Sequence, residues 1–201
     1  MYGLRHSGRM SAAYKELCIE MIKKWKLLGS EYLFRRPWLT ARRDCLELPD
    51  GTIHPEYYVL EYPTWVNIIA RTTDGHYIMV EQYRHALGEV LTELVAGCVE
   101  EGEDPLEGAR RELLEETGYG NGHWQLLTVL SPNAAANNNL SYSYLATDVE
   151  KLSEQHLDTT EDIEVKLFTE EELFAMLRDD KIRQATMAAP LWKYFAMKHG
   201  I

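Results

Sequence analysis

The chain is poor in the residues that staple or anchor a protein. It has three cysteines in 201 residues, Cys18, Cys45 and Cys98, odd in number and scattered, with no paired ligand motif. That excludes a disulfide scaffold and predicts free thiols in a reducing cytoplasm. No apolar run reaches the length that spans a bilayer, and the N-terminus lacks a secretory apolar core, so neither membrane nor export is expected. Positive charge is also scarce: 21 Lys and Arg stand against 32 Asp and Glu, for a net charge of −11. Such a balance speaks against a nucleic-acid backbone as partner. The seven histidines show no metal-ligand spacing, and no Ser/His/Asp or Cys/His constellation can be assembled. Repeats and low-complexity linkers are absent. Apolar residues at 45% and charged residues at 26% exclude bulk disorder, and the length suits one globular domain with a short arm.

Apolar periodicity and turn residues divide the chain. Residues 1–10 read as a frayed leader, and Tyr14, Leu17, Cys18, Met21, Ile22 and Trp25 predict an amphipathic helix over 11–24. Residues 29–62 alternate short apolar runs with turn signals at Arg36-Pro37 and Pro49-Asp50-Gly51, the marks of strands and hairpins. Strands are predicted at Val66–Thr72 and Tyr77–Tyr83 around Asp74-Gly75, and at Leu91–Leu94, Trp124–Ser131, Ser141–Thr147 and Ile163–Phe168. The run Asn133–Asn139 after Ser131-Pro132 predicts a flexible loop. Helices are predicted from Pro105 to Thr117, stopped by Gly118, from Glu170 to Leu177 behind a Thr169 cap, and over about Ala185–Lys198. The expected class is mixed, α/β or α+β.

The most informative stretch runs from Gly97 to Tyr119. It holds eight acidic residues against two arginines, more than half of the chain's net negative charge. Glu112, Glu115 and Glu116 stand at i, i+3 and i+4 and so share one helix face. Like charges there repel, and a hard divalent cation with oxygen ligands, Mg²⁺ or Mn²⁺, is the simplest compensation. Leu106, Ala109, Leu113 and Leu114 form the apolar side that would dock the helix on a sheet. Gly97 lets backbone approach a metal, leaving the Ala96 carbonyl as a further ligand. Arg111 is expected to pair with Glu103 and lock loop to helix. A run of Glu on a helix can also be a plain solvated face.

These residues resemble the signature box of the Nudix hydrolases: Gly, five residues, Glu, seven residues, then Arg-Glu-apolar-any-Glu-Glu-any-Gly-apolar. Gly97, Glu103, Arg111, Glu112, Leu113, Glu115, Glu116, Gly118 and Tyr119 fill every specified position. The resemblance implies an α/β/α sandwich around a mixed sheet, and cleavage of the pyrophosphate in a nucleoside diphosphate linked to a second group. It implies Glu112, Glu115, Glu116 and the Ala96 carbonyl as metal ligands, and Arg111 and Glu115 within the catalytic box.

Glu81-Gln-Tyr-Arg84, then Leu91-Thr-Glu93-Leu-Val-Ala96-Gly97, and Pro132 beyond the box resemble the ADP-ribose (ADP-sugar) pyrophosphatase branch. That likeness implies Arg84 on the substrate phosphate and Glu93 near the site. It also implies an N-terminal β region through which two chains form a homodimer, giving domains at 1–62 and 63–201. Trp38, beside Arg35-Arg36-Pro37, is a candidate to stack on adenine, with a dimer contact or plain packing as alternatives. One position departs from the branch. Its Asp-Glu-any-Glu-any-Ile pattern reads Asp158-Thr-Thr-Glu161-Asp-Ile163 here, and Thr159 cannot accept a proton near neutral pH. Glu161 is the nearest replacement as general base, with Glu115 or metal-bound hydroxide as alternatives. The box is blind to the base, so GDP-mannose, a dinucleoside polyphosphate or NADH stay open as substrates. So does a non-hydrolysing nucleotide sensor.

Overall fold

The structure, a computed structural model, describes residues 22–200. The predicted leader and nearly all of the predicted helix over 11–24 lie outside the described residues. The chain separates into two units between Leu60 and Glu61.

In the first unit, β1 (Lys26–Arg36), β2 (Leu39–Glu47) and β3 (Ile53–Glu61) form a three-stranded sheet in that order, with β1 and β2 antiparallel. The Asp50-Gly51 signal marks the turn into β3, where Gly51 takes a φ of 87° and its N–H bonds the Leu48 carbonyl. Arg43 on β2 reaches both neighbours, pairing with Glu31 on β1 and with Glu56 on β3 at 2.9 Å. Ala41 and Asp44 are buried, whereas all of β1 is exposed, including Leu27, Leu28, Leu33 and Phe34.

The second unit is an α/β/α sandwich. Its mixed sheet runs β11 (Ile163–Phe168), β5 (Tyr77–Arg84), β4 (Trp65–Thr72), β10 (Ser141–Lys151), β8 (Tyr119–Gly120). β6 (Glu89–Glu93) pairs with β5, β7 (Val95–Cys98) with β4, and β9 (His123–Leu130) with β10. The β4–β10 pair is parallel. Side chains alternate across a strand, so β4 sends Val66, Ile68 and Ala70 into one core and Ile69 into the other. A strand covered on both faces reads as a nearly continuous apolar run.

Helix α1 (Pro105–Thr117) covers the first face through Ala109 and Leu113. Its start is capped by Asp104, whose side chain accepts from the Leu106 N–H at 2.8 Å, with Pro105 in the first turn. Helices α2 (Glu170–Arg178) and α3 (Ala185–His199) cover the other face with Leu173, Leu177, Leu191 and Phe195. Thr169 and Glu172 form a reciprocal capping box on α2.

Three expectations need correction. Leu114, expected on the docking face of α1, is 37% exposed; Glu116 and Thr117 are buried there instead, so the helix buries a carboxylate at its C-terminal end. The strand expected at Leu91–Leu94 is present as the end of β6 but stops at Glu93, and after Leu94 a separate strand, β7, pairs with a different partner. That break puts Glu93 on one and Ala96-Gly97 on the other. The Asn133–Asn139 loop is tethered: Asn139 donates to the Pro63 carbonyl at 3.0 Å, and Asn138 accepts from the Tyr62 N–H.

Gly118 ends α1 with φ 69°, its N–H on the Leu114 carbonyl, and an added Cβ would lie 2.1 Å from the Ser153 carbonyl oxygen. Gly118→Ala combines left-handed strain of about 1–2 kcal/mol with that collision. The expected loss is about 2 kcal/mol or more, read as a lower urea midpoint with unchanged slope.

Candidate active site

Arg111 sits at the centre of the box. Its Nε and one terminal nitrogen donate to the two Glu103 oxygens at 3.0 and 3.1 Å, and that terminal nitrogen also donates to the Cys98 carbonyl at 2.9 Å. The other terminal nitrogen reaches Glu112 at 2.9 Å and Glu115 at 3.1 Å. The expected loop-to-helix lock is therefore present, and it extends to two of the three repelling carboxylates. Hydrogen bonding to Glu103, Glu112 and Glu115 holds the guanidinium well above its ordinary value.

Glu112 and Glu116 lie on the inner side of α1, against β7. Gly97 makes this possible, because a Cβ there would sit 2.0–2.4 Å from the Glu112 carboxylate atoms. Glu116 is 3% exposed and accepts from the Ala96 N–H at 3.4 Å. Burial, and then the Glu112 charge, push the Glu116 carboxyl up to about 8. Burial also raises Glu112, against the pull of Arg111. Glu115 is turned outward onto Arg111. Among the described residues, no three His, Cys, Asp or Glu side chains close into one coordination shell. Glu116 feels the Glu112 charge on the inner side of α1, and Glu115 pairs with Arg111 at its rim.

The Glu112–Glu116 pair fits a hard divalent cation. Two carboxylates are held together in a desolvated place where both resist ionisation, and all the donors are oxygen. Glu112, Glu116 and the neighbouring Ala96 carbonyl could hold it.

Arg84 at the end of β5 donates from Nε to Glu93 at 2.9 Å, and Glu93 at the end of β6 is 1% exposed. The Arg84 charge is felt at Glu116. Arg84, Glu93, Ala96 and Gly97 line one cavity of about 420 Å³. Glu161 lies in the loop between β10 and β11, where its carboxylate accepts from the Asp158 N–H at 3.0 Å. Its charge raises both Glu112 and Glu116, so the loop brings it to the acidic pair. Thr159 is exposed in the same loop. Trp38 is 78% exposed in the turn between β1 and β2, within the first unit.

Sequence reasoning missed Gln155. Its side-chain nitrogen donates to the Glu116 carbonyl at 2.6 Å and to the Ile163 carbonyl at 3.2 Å, tying both ends of the Glu161 loop to α1. No pattern around a lone loop glutamine announces that. Asn67, also in the cavity wall, was missed although it interrupts an apolar strand, a signal that was legible.

The NUDIX domain pattern matches residues 61–189. The chain belongs to the Nudix family. A second pattern, the nucleoside diphosphate sugar hydrolase N-terminal domain, matches residues 25–60. The chain is 28% identical to an ADP-ribose pyrophosphatase of Bacillus subtilis (strain 168), over 88% of this chain and 95% of that one. It is 31% identical to a methanol dehydrogenase activator of Bacillus methanolicus, over 78% and 85%. It is 35% identical to an ADP-ribose pyrophosphatase of Mycobacterium tuberculosis, over 64% and 62%. A crystal structure of an ADP compounds hydrolase superposes with a TM-score of 0.78 at 23% identity, covering 89% of this chain and 96% of that one, which shows the same fold. In this Nudix protein the box helix thus carries Glu112 and Glu116 on its buried face and Glu115 on its rim.

The raised Glu116 carboxyl sets a pH dependence. Between about pH 4.5 and 8 the folded, metal-free protein keeps a proton that the unfolded chain has released, so this group's stabilisation is lost as pH rises through that window. A divalent cation favours the ionised form and reverses the trend. In EDTA, the Tm of wild type relative to Glu116→Gln is expected to fall from about pH 5 to pH 8, while the Tm gain on adding Mg²⁺ grows over the same range. Differences flat with pH would contradict the buried pair.

Proposed function

We propose that this chain is a Mg²⁺-dependent pyrophosphatase acting on ADP-ribose or a related ADP-sugar, releasing AMP and a sugar phosphate, with Mn²⁺ able to replace Mg²⁺. The observation that carries the reading is the Glu112–Glu116 pair, set against Ala96-Gly97 where that backbone lines the Arg84 cavity. Two relatives bearing the name ADP-ribose pyrophosphatase support the substrate.

A diphosphate cannot approach an acidic face unaided. Glu112, Glu116 and the Ala96 carbonyl, with Glu115, would hold a divalent cation, which when bound would neutralise charge and lower the pKa of a water. Arg84 forks onto a phosphate oxygen, held in direction by buried Glu93. Arg111 keeps loop and helix in register through Glu103 and Cys98. Glu161 takes the proton from the attacking water at its carboxylate. The water oxygen bonds to phosphorus as the bridging P–O bond breaks in line, and the leaving phosphate carries the electron pair. Gln155 keeps the Glu161 loop seated on α1.

The first unit serves, in this reading, as a homodimer surface. The apolar side chains of β1 and the Trp38 ring stand in water in the single chain, with Trp38 available to cover adenine. Light scattering is expected to give about twice the chain mass, and Leu33→Glu with Phe34→Glu to return it to monomer. In this reading the chain is cytoplasmic, where Cys45 and Cys98 stay free thiols; no described helix is long and apolar enough to cross a membrane. Nucleic acid is not a partner in this reading.

Glu116→Gln is expected to lower kcat roughly several hundredfold or more at saturating Mg²⁺. Glu161→Gln should lower kcat with little change in KM. A panel of ADP-ribose, ADP-glucose, GDP-mannose, a dinucleoside polyphosphate and NADH, with AMP and phosphate detected, tests the substrate. Thr159 favours a second reading, a sensor that binds without hydrolysis; ADP-ribose that raises Tm with Mg²⁺ yet survives overnight would establish it.

A further inference from the structure

Helix α3 carries a buried proline in its interior, Pro190. Proline has no N–H, so the carbonyl four residues back, that of Thr186, loses its intrahelical donor. The start of α3 is short of a partner in a second way, because Gln184, the residue before it, makes no side-chain capping bond. A side chain from the sheet meets the freed carbonyl. Asn67 on β4 donates from Nδ2 to the Thr186 carbonyl at 3.1 Å, and the same nitrogen reaches the Ser141 hydroxyl on β10 at 3.1 Å. A carbonyl can only accept, so these bonds fix which way the amide lies. Asn67 is 1% exposed, set between buried Val66 and Ile68. An amide in such a strand is destabilising unless it is bonded, and the acceptor it meets is the one Pro190 leaves open.

The position of this bond bears on the site. In the β4–β7 ladder Asn67 stands directly opposite Ala96, whose carbonyl is a candidate metal ligand. Its amide ends on the first turn of α3. There Thr186 and Met187 form one wall of the cavity of about 420 Å³ that Arg84, Ala96 and Gly97 also line. One residue therefore links the box side of the cavity to its α3 wall. The other anchors of that wall are less directional. Met187 is 3% exposed and packs in the core, but apolar contact fixes depth better than register. Arg183 and Glu89 pair at 3.4 Å with both side chains about half exposed, a contact of little weight.

We propose that Asn67 is a positioning residue that sets the α3 wall of the active cavity relative to Ala96, and that Pro190 frees the acceptor through which it does so. Asn67 acts through Thr186, not on the substrate. The effect on turnover rests on the pyrophosphatase reading; the Asn67–Thr186–Pro190 link does not. Glu112 and Glu116 are carried by α1, which packs on the other face of the sheet. Loss of the amide is therefore felt in substrate binding more than in the chemical step.

Asn67→Leu keeps the volume and removes the donor. At saturating Mg²⁺ it is expected to raise KM for ADP-ribose about tenfold while kcat stays within about threefold. Pro190→Ala returns an N–H that can donate to Thr186, and in that background Asn67→Leu should raise KM less than about twofold. Hydrogen exchange reads the link without any substrate. The amides of Met187, Ala188, Ala189 and Leu191 are expected to exchange about tenfold faster or more in Asn67→Leu and to slow again in the double variant. Unchanged exchange in Asn67→Leu, or a penalty as large beside Pro190→Ala as without it, overturns the link. Faster exchange with KM unmoved, or with kcat falling as far as KM rises, overturns the positioning role. Should Asn67→Leu not accumulate as folded protein, the double variant decides: recovery supports the link and continued failure overturns it. If wild type binds ADP-ribose but leaves it intact, the pyrophosphatase reading fails alone, and Kd from calorimetry takes the place of KM in the same comparison. A wild type that neither cleaves nor binds ADP-ribose overturns both.

Discussion

The box depends on a close approach that a missing side chain allows to two carboxylates, one half-buried and one buried. Gly97 has no Cβ, and the carboxylate of Glu112 occupies the space a Cβ would need. Glu116 lies next to it, bonded to the Ala96 N–H. Two carboxylates forced into a desolvated place resist ionisation, and the protein holds them there with α1, docked through Ala109 and Leu113 and ended sharply at Gly118. Stability and chemistry pull in opposite directions at this spot. The site is costly without a cation, which is the usual sign of a functional position.

Around that pair, charges are arranged by distance and direction. Arg111 neutralises the outer side of the acidic face and ties the preceding loop to the helix through Glu103 and Cys98. Arg84, fastened to buried Glu93, brings positive charge from the sheet. The loop carrying Glu161 approaches the same pair, pinned through Gln155. Helix, sheet and loop thus each contribute one charged group to a single locus, which no one element could assemble alone.

The likeness to the family N-terminal pattern over residues 25–60 corresponds to the three-stranded unit, whose Arg43 bridges both neighbouring strands. Its exposed apolar β1 contrasts with the second unit, where apolar strands are covered on both sides by helices. An apolar strand in water is a surface in want of a cover.

Local chemistry made much of this legible. Pro105 and Gly118 bound α1, Thr169 announces α2, and Gly97 through Tyr119 spell the box, because capping and periodicity act over a few residues and need no distant partner. Which carboxylates meet was decided only in three dimensions. Helical spacing puts Glu112, Glu115 and Glu116 on one face, yet docking sends Glu116 inward and leaves Glu115 to Arg111, since the sheet covers only part of that face. The split between β6 and β7, the tether of the Asn loop, the Gln155 clamp and the unpaired oxygen of Asn67 likewise depend on partners far along the chain. Sequence determines what each segment can do by itself; tertiary contact, through burial and the demand that polar groups be paired, decides which segments act together.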